Sequence, residues 1–424
     1  MRKNIFTVSL PVIVFYLASA ISACSNTTIN INEQDKKITL NYTVSMPDPS
    51  SHQFHVELNC SGMEMDTISF KMPEWMPGYY QIMDYSDAVT DFVAMNSKNA
   101  EEVVVEIQND HTWKTYIDKG EAFRISYHVK ADKKFVASSY VDSTHAYIVP
   151  PSMFMYIDKQ LDIPVTVEIK LNSLWSDVAT GLENIAGENN RYYAPDFDIL
   201  YDCPILIGNL ESLKPFYVDG IEHQFIGYEL GDFDKQMFMD DLEKIVKIAT
   251  DIIGEIPYKN YKFIAVGPRL GGIEHLNNTT VSFNGNTLNN KRSFNRMMSF
   301  LAHEYFHHYN VKRIRPYELG PFDYDKENKT NLLWVSEGLS VYYEYLINKR
   351  AGIINEQELF SNFEREINTL ENDPGRHYQS LVESSFYTWE EGPFGNSKGG
   401  EDKSVSYYIK GPVVGLILDF DVIR

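Results

Sequence analysis

The feature that most constrains this chain is a change of hydrophobic period near residues 210–230. From about residue 38 to 171, apolar and polar residues alternate in short runs, among them Ile38-Thr39-Leu40-Asn41-Tyr42-Thr43-Val44, Phe54-His55-Val56-Glu57-Leu58, Val103-Val104-Val105-Glu106-Ile107 and Phe123-Arg124-Ile125-Ser126-Tyr127-His128-Val129. Successive side chains of a strand point to opposite faces. Period two, punctuated by Pro47-Asp48-Pro49 and Pro77-Gly78, therefore predicts an antiparallel β domain. After about residue 232 the period lengthens: Phe238, Leu242, Ile245, Ala249 and Ile252 recur at three and four, and Gly254 and Pro257 close the pattern. That spacing predicts an amphipathic helix. Two strand-like runs, Phe263-Ile264-Ala265-Val266 and Thr280-Val281-Ser282-Phe283, flank a glycine-rich turn at Gly271-Gly272, and helical spacing then dominates over residues 294–311 and 333–349. At roughly 150 residues per domain the length allows two or three domains. The expected fold is α+β and multidomain, with a β-rich domain at residues 37–215 and an α/β domain at 216–424.

The first 36 residues belong to neither. Arg2 and Lys3 precede an apolar run that reaches Ala20, followed by Ile21-Ser22-Ala23-Cys24. A positive start, an apolar middle and small residues at the cut are the order of a secretory signal, here residues 1–23. The residues before Cys24 resemble a bacterial lipobox, which implies an acylated Cys24, a tether over residues 24–36, and membrane attachment through lipid alone. An exported lipoprotein on the periplasmic side of the outer membrane or on the cell surface is the expectation; Ser25 points to the outer membrane by analogy. Export through an oxidising compartment permits a Cys60–Cys203 bridge, and two buried thiols are the equal alternative.

The net charge is -21. A surface so acidic repels phosphate backbones, so nucleic acid is not an expected partner. The densest basic cluster, Lys312, Arg313 and Arg315, reads as a solvated helix end rather than a phosphate site.

His303-Glu304-Tyr305-Phe306-His307 lies inside the helical stretch. Residues at i and i+4 share a helix face, so both imidazoles can reach one cation, and Glu304 is placed to orient and deprotonate a water beside it. This is the HExxH arrangement of zinc hydrolases. With 11 His and 59 acidic residues, roughly 4% of such chains would hold it by accident, so a third ligand decides. A histidine in HExxHxxGxxH is ruled out by Asn310 and Arg313, whereas Glu337, in Leu333-Trp334-Val335-Ser336-Glu337-Gly338, lies 30 residues further on at the start of a second helix. An antiparallel partner helix can deliver that carboxylate and leave a fourth position open.

The run from His303 to Pro316, followed by Leu333 to Gly338, closely resembles the bacterial glycyl aminopeptidase family, PDZ-containing gluzincin zinc metallopeptidases. Met72-Pro73-Glu74-Trp75-Met76-Pro77-Gly78-Tyr79-Tyr80, Val178-Ala179-Thr180-Gly181-Leu182 and Asp202-Cys203-Pro204-Ile205 match the same family. The resemblance implies a thermolysin-like α/β zinc peptidase domain, one Zn2+ per chain on His303, His307 and Glu337, with Glu304 as general base. It further implies that Gly271-Gly272-Ile273-Glu274-His275 is an exopeptidase motif, Glu274 pairing with the free amino group of a peptide whose backbone lies along the glycines. In Tyr407-Tyr408-Ile409-Lys410-Gly411, Tyr408 would donate to the oxyanion. Tyr309 and Ser340 stand where the family commonly has Trp and Thr. Relatives continue past the position of Arg424 into further helices and a PDZ domain, so the peptidase domain is expected to be incomplete at its C-terminal end. The implied activity is removal of N-terminal Gly or Ala from exported peptides; a zinc endopeptidase and an inert peptide-binding lipoprotein are the alternatives. Oligomeric state is not legible.

Overall fold

Alternation buries Leu40, Tyr42 and Val44 on one face of the strand Thr39–Ser45, Phe54, Val56, Leu58 and Cys60 on Gln53–Ser61, and Phe123, Ile125, Tyr127 and Val129 on Phe123–Lys130. These strands lie side by side in a 7-stranded sheet whose order is Glu183–Asn184, Arg191–Ala194, Val165–Lys170, Thr39–Ser45, Gln53–Ser61, Phe123–Lys130, Val89–Asn96. The computed structural model describes residues 38–269, 271–394 and 403–422; the signal segment, Cys24 and the tether lie outside them. One pair departs from the antiparallel expectation: Thr39–Ser45 and Val165–Lys170 run parallel. Parallel neighbours need a long crossover, and the intervening chain supplies it while building most of two further 4-stranded sheets. The strand expected at Val103 begins only at Val105 and runs to Asn109 as an exposed sheet edge. Cys60 and Cys203 are buried free thiols. No described helix is long and apolar enough to cross a membrane.

At Glu211–Ser212 the chain enters a fourth, 6-stranded sheet. Its strands Ile221–Gly227, Asn260–Ala265 and Asn278–Val281 are parallel, and Gly272–Glu274 pairs antiparallel with Asn278–Val281 at the edge. The helix Lys235–Ile253 starts where the Asp234 side chain accepts from the Met237 N–H and stops at Gly254, whose φ of 97° is one that glycine takes readily. It buries Phe238, Leu242, Ile245 and Ala249 in one core with Met298, Leu301, Ala302 and Tyr305 of the helix Lys291–Phe306. Ile264 and Ile273 of the 6-stranded sheet, with Val266 just past its strand, lie instead in the core of the β-rich half, so the edge strand is held from both sides.

Of the basic cluster after the HExxH helix, Arg315 is exposed, but Lys312 and Arg313 are not a solvated helix end. Lys312 Nζ sits 2.5 Å from Asp202 Oδ1, both side chains 7% exposed, and Asp202 also meets His275 Nδ1 at 3.2 Å and the Leu276 N–H at 2.6 Å. Arg313 donates to the carbonyls of Leu276, His308 and Pro257. The helix ends at Phe306 rather than near 311, and Val311 takes a φ of 133°. That turn carries Lys312 and Arg313 inward, where a buried charge is tolerable only because each is paired or multiply hydrogen-bonded.

Candidate active site

One turn of helix separates His303 from His307, and their Nε2 atoms face each other at 2.9 Å. Glu337 Oε2 lies 3.6 Å from the first and 3.1 Å from the second. The three residues are buried, with one ligand atom from each within 4.8 Å of the others. His307 Nδ1 donates to the Asn310 carbonyl at 2.8 Å, and His303 Nδ1 faces the Glu344 carboxylate at 3.1 Å. Protons held on both Nδ1 atoms turn two Nε2 lone pairs inward against a carboxylate. Such a group needs a cation, and two imidazoles with one carboxylate fit zinc. The same need shows in the free side chains: burial opposes charge on His303, but Glu337 and Glu344 outweigh it, so that without a metal ion between them a proton takes the cation's place and the imidazole is held well above its usual range.

Glu337 does not stand on a regular helix. Residues Trp334–Gly338 form one π-turn before the helix Leu339–Arg350, and π-turns commonly mark functional sites. The Asn310 amide secures this turn, donating to the carbonyls of Val335 at 2.9 Å and Ser336 at 3.0 Å, with Ser340 Oγ at 3.1 Å. Behind it, Gly338 and Gly411 meet back to back: a Cβ on Gly411 would lie 2.5 Å from the Gly338 Cα. Only glycine permits that approach, and it brings the helix Tyr407–Val422 onto the Glu337 turn. Tyr408 consequently faces the metal-ligand cluster: burial and the nearby Glu337 carboxylate hold its hydroxyl well above the usual range, and its ring centroid lies 6.2 Å from that of His303. Tyr407 instead is fully buried, its hydroxyl 3.1 Å from Thr388 Oγ1. The structure thus separates two tyrosines that sequence leaves nearly equivalent.

Glu304 is buried, and its Oε2 has no hydrogen-bond partner among the described residues. Burial pushes its carboxyl up to about 8 against the pull of His303 and His307, with Glu274 and Glu337 adding to the rise. The edge strand runs directly over it: a Cβ on Gly272 would lie 2.7 Å from Glu304 Cδ and 2.7 Å from Phe300 Cζ. Gly271, at φ 84°, makes the turn into that strand, and Glu274 at its far end is 4% exposed. A turn from the β-rich half closes on Glu274. Gly78, at φ 91°, is so near that a Cβ would lie 3.0 Å from Glu274 Oε2, and Tyr80 beside it is buried, its hydroxyl pushed up by burial and by Glu274 and Glu337.

His303, Glu304, His307, Glu337, Gly272, Glu274 and Tyr408 are therefore brought together; Cys24 is outside the described residues. Sequence reasoning gave no role to Asn310, Glu344, Gly78 or Tyr80. Glu344 stands seven residues, two helical turns, after Glu337, a spacing that could have flagged it; Gly78 is marked only as a turn, and nothing local marks Asn310 or Tyr80 as part of the site.

The sequence model described as the Peptidase M61 N-terminal domain matches residues 41–209, and that described as M61 glycyl aminopeptidase matches residues 296–414. The chain belongs to the M61 glycyl aminopeptidase family. Its fold is similar to that of an aminopeptidase N family protein from Idiomarina loihiensis, with 26% identity and a TM-score of 0.84 over 90% of this chain. The M61 chain spans 66% of that structure's length. An M1 zinc metallopeptidase from Deinococcus radiodurans shares the fold at 14% identity and a TM-score of 0.54, covering 91% of this chain and 83% of that one. A mutant of the Deinococcus enzyme, solved with a Tyr-Ser-Ala substrate, superposes equally well, at 14% identity and a TM-score of 0.54, with the same coverage. No curated protein matches the M61 chain in sequence.

Proposed function

We propose that the protein is a zinc-dependent aminopeptidase that removes small N-terminal residues, Gly or Ala, from exported peptides. The observation that carries this reading is one bare strand, Gly272–Glu274, with the HExxH glutamate under its glycine end and a buried carboxylate at its other end. His303, His307 and Glu337 would hold one zinc ion, which when bound supplies Lewis acidity toward the scissile carbonyl. Glu274 pairs with the substrate ammonium, an interaction strengthened by burial. Backbone groups of the edge strand align the peptide, since no side chain intervenes at Gly272. Glu304 takes the proton of the attacking water on its carboxylate and delivers it to the leaving amine. The Tyr408 hydroxyl donates to the developing oxyanion.

Closure of the Pro77-Gly78-Tyr79-Tyr80 turn on Glu274 supports exopeptidase action, because it blocks the strand beyond the anchor, and it supports a small first residue. Membership of a glycyl aminopeptidase family points the same way. Attachment through an acylated Cys24 on the periplasmic or outer face rests on residues 1–24; the mass of the mature N-terminus tests it. For the activity, purified protein loaded with zinc is assayed on Gly and Ala anilides beside Glu304→Gln. The variant should keep its metal and lose turnover by several orders of magnitude; an active variant, or a wild type that binds zinc yet cleaves no anilide, contradicts the reading.

A further inference from the structure

A groove of about 930 Å³ opens along the N-terminal half of the HExxH helix, and its lining includes Phe300, Glu344, Arg292, Arg296 and Arg365. Phe300 and Glu344 tie it to the active site, since Phe300 touches the edge strand at Gly272 and Glu344 meets His303. The strand sets a direction. A peptide anchored at Glu274 and cleaved over Glu304 leaves past Phe300, one turn before Glu304, and so enters this groove with the residues that follow the cleaved bond.

The charges in the groove are unusual for a chain of net charge -21. Lys291 is paired with Glu358 at 2.7 Å, and Arg365 with Glu366 at 3.0 Å and the Tyr345 hydroxyl at 3.1 Å. Arg292 and Arg296 have no carboxylate partner among the described residues, although they sit one turn apart on the same helix face, where like charges repel. Fold stability gains nothing from the pair as it stands. A carboxylate arriving in the groove supplies the missing partner, and arginine's planar fork suits that group.

We infer that Arg292 and Arg296 form a carboxylate subsite on the leaving-group side of the cleft, making short peptides with a free C-terminus the preferred substrates. The inference rests on the aminopeptidase reading for its polarity. Helical rise puts Arg296 about 10 Å and Arg292 about 16 Å before His303 along the axis, at ~1.5 Å per residue. An extended peptide advances about 3.4 Å per residue, so two to four residues beyond the cleaved bond bring the terminal carboxylate within reach of these side chains. Tri- to pentapeptides fit; longer chains carry the carboxylate past the pair.

Calorimetric binding to zinc-loaded Glu304→Gln protein tests this without turnover. The probes are Ala-Ala-Ala, its C-terminal amide, and Ala-Ala-Asp amide, which returns a carboxylate as a side chain. The free acid should bind about three- to tenfold more tightly than the neutral amide, the range between an exposed and a partly desolvated ion pair, and the ratio should fall to near one when Arg292→Gln and Arg296→Gln are added. Recovery with the Asp amide shows that the subsite takes a carboxylate from either source; no recovery shows that it selects the chain terminus. Equal binding of acid and amide, or a preference that survives the double replacement, overturns the inference. Anilide turnover by wild-type protein is a separate readout, because anilides carry no carboxylate: a failure there with the acid preference intact refutes the activity and leaves the subsite standing.

Discussion

Asn310→Ala isolates the device that presents Glu337. The replacement keeps the backbone carbonyl that accepts from His307 Nδ1 and removes only the amide whose donors reach Val335 O, Ser336 O and Ser340 Oγ at 2.9, 3.0 and 3.1 Å. Ser336 and Glu337 are 1% and 2% exposed, so water cannot easily take the place of the lost donors. A buried acceptor left without its partner costs about 1–3 kcal/mol. An amide has two hydrogens to lose, but the Ser336 carbonyl keeps the Ser340 hydroxyl as a donor at 2.7 Å, which sets the expected destabilisation at about 1–3 kcal/mol. The π-turn is then free to relax toward regular helix and rotate Glu337 away from the imidazoles, and losses of this second kind typically weaken zinc binding by about 10–100-fold. Urea unfolding of the metal-free protein and competition with a chromogenic chelator measure the two effects separately. Unchanged zinc affinity with unchanged stability refutes the role given to Asn310; lost stability with intact affinity shows that Glu337 is held by something else.

Other outcomes follow from the same contacts. Gly272→Ala places a methyl carbon 2.7 Å from Glu304 and Phe300, so zinc content should persist while kcat falls about tenfold or more through a displaced Glu304, read by metal analysis beside initial rates. Gly411→Ala drives a Cβ to 2.5 Å from the Gly338 backbone, where no flexible group can yield; thermal unfolding should show a loss of about 1–3 kcal/mol or more, accompanied by reduced turnover as Tyr408 shifts. His145 and His223 are both lowered to about 4, His145 by burial and Arg269, His223 by burial. Each is held neutral in the folded state, so its stabilisation is complete above the unfolded value near 6.5 and declines as pH falls toward 4, by about 3 kcal/mol per histidine. Denaturant titrations across that window should flatten in the His145→Gln, His223→Gln double variant, and a slope identical to wild type contradicts the assignment.

The strands of the β-rich half and the helix Lys235–Ile253 were legible because their patterns of apolar residues match the pleat and the helical turn over several repeats. His303 and His307 were legible for the same reason, helix spacing fixing their common face, and Glu304 through its place beside the first of them in the HExxH pattern. What stayed hidden depends on contacts distant in sequence. The parallel pairing of Thr39–Ser45 with Val165–Lys170 leaves no mark on either strand. The basic residues Lys312 and Arg313 look like surface residues until Asp202 and the carbonyls that satisfy them are in place. Asn310 reads only as a missing glycine of HExxHxxGxxH, yet its amide positions the carboxylate that stands in for that motif's third histidine. Gly78 carries a turn signal, but its packing on Glu274 joins residues almost 200 positions apart. The two tyrosines after Ser406 differ by one position, and only the glycine contact behind Glu337 decides which faces the metal ligands.

The most direct test of the account compares free and N-acetylated Ala and Gly anilides on zinc-loaded wild-type protein, with Glu274→Gln alongside. Glu274 as the anchor of a free amino group predicts cleavage of the free amines alone, with zinc bound, and a Glu274→Gln variant that keeps its zinc but loses most of kcat/KM. Equal cleavage of the acetylated substrates would contradict it, and would make the M61 chain an endopeptidase built on the same buried metal ligands.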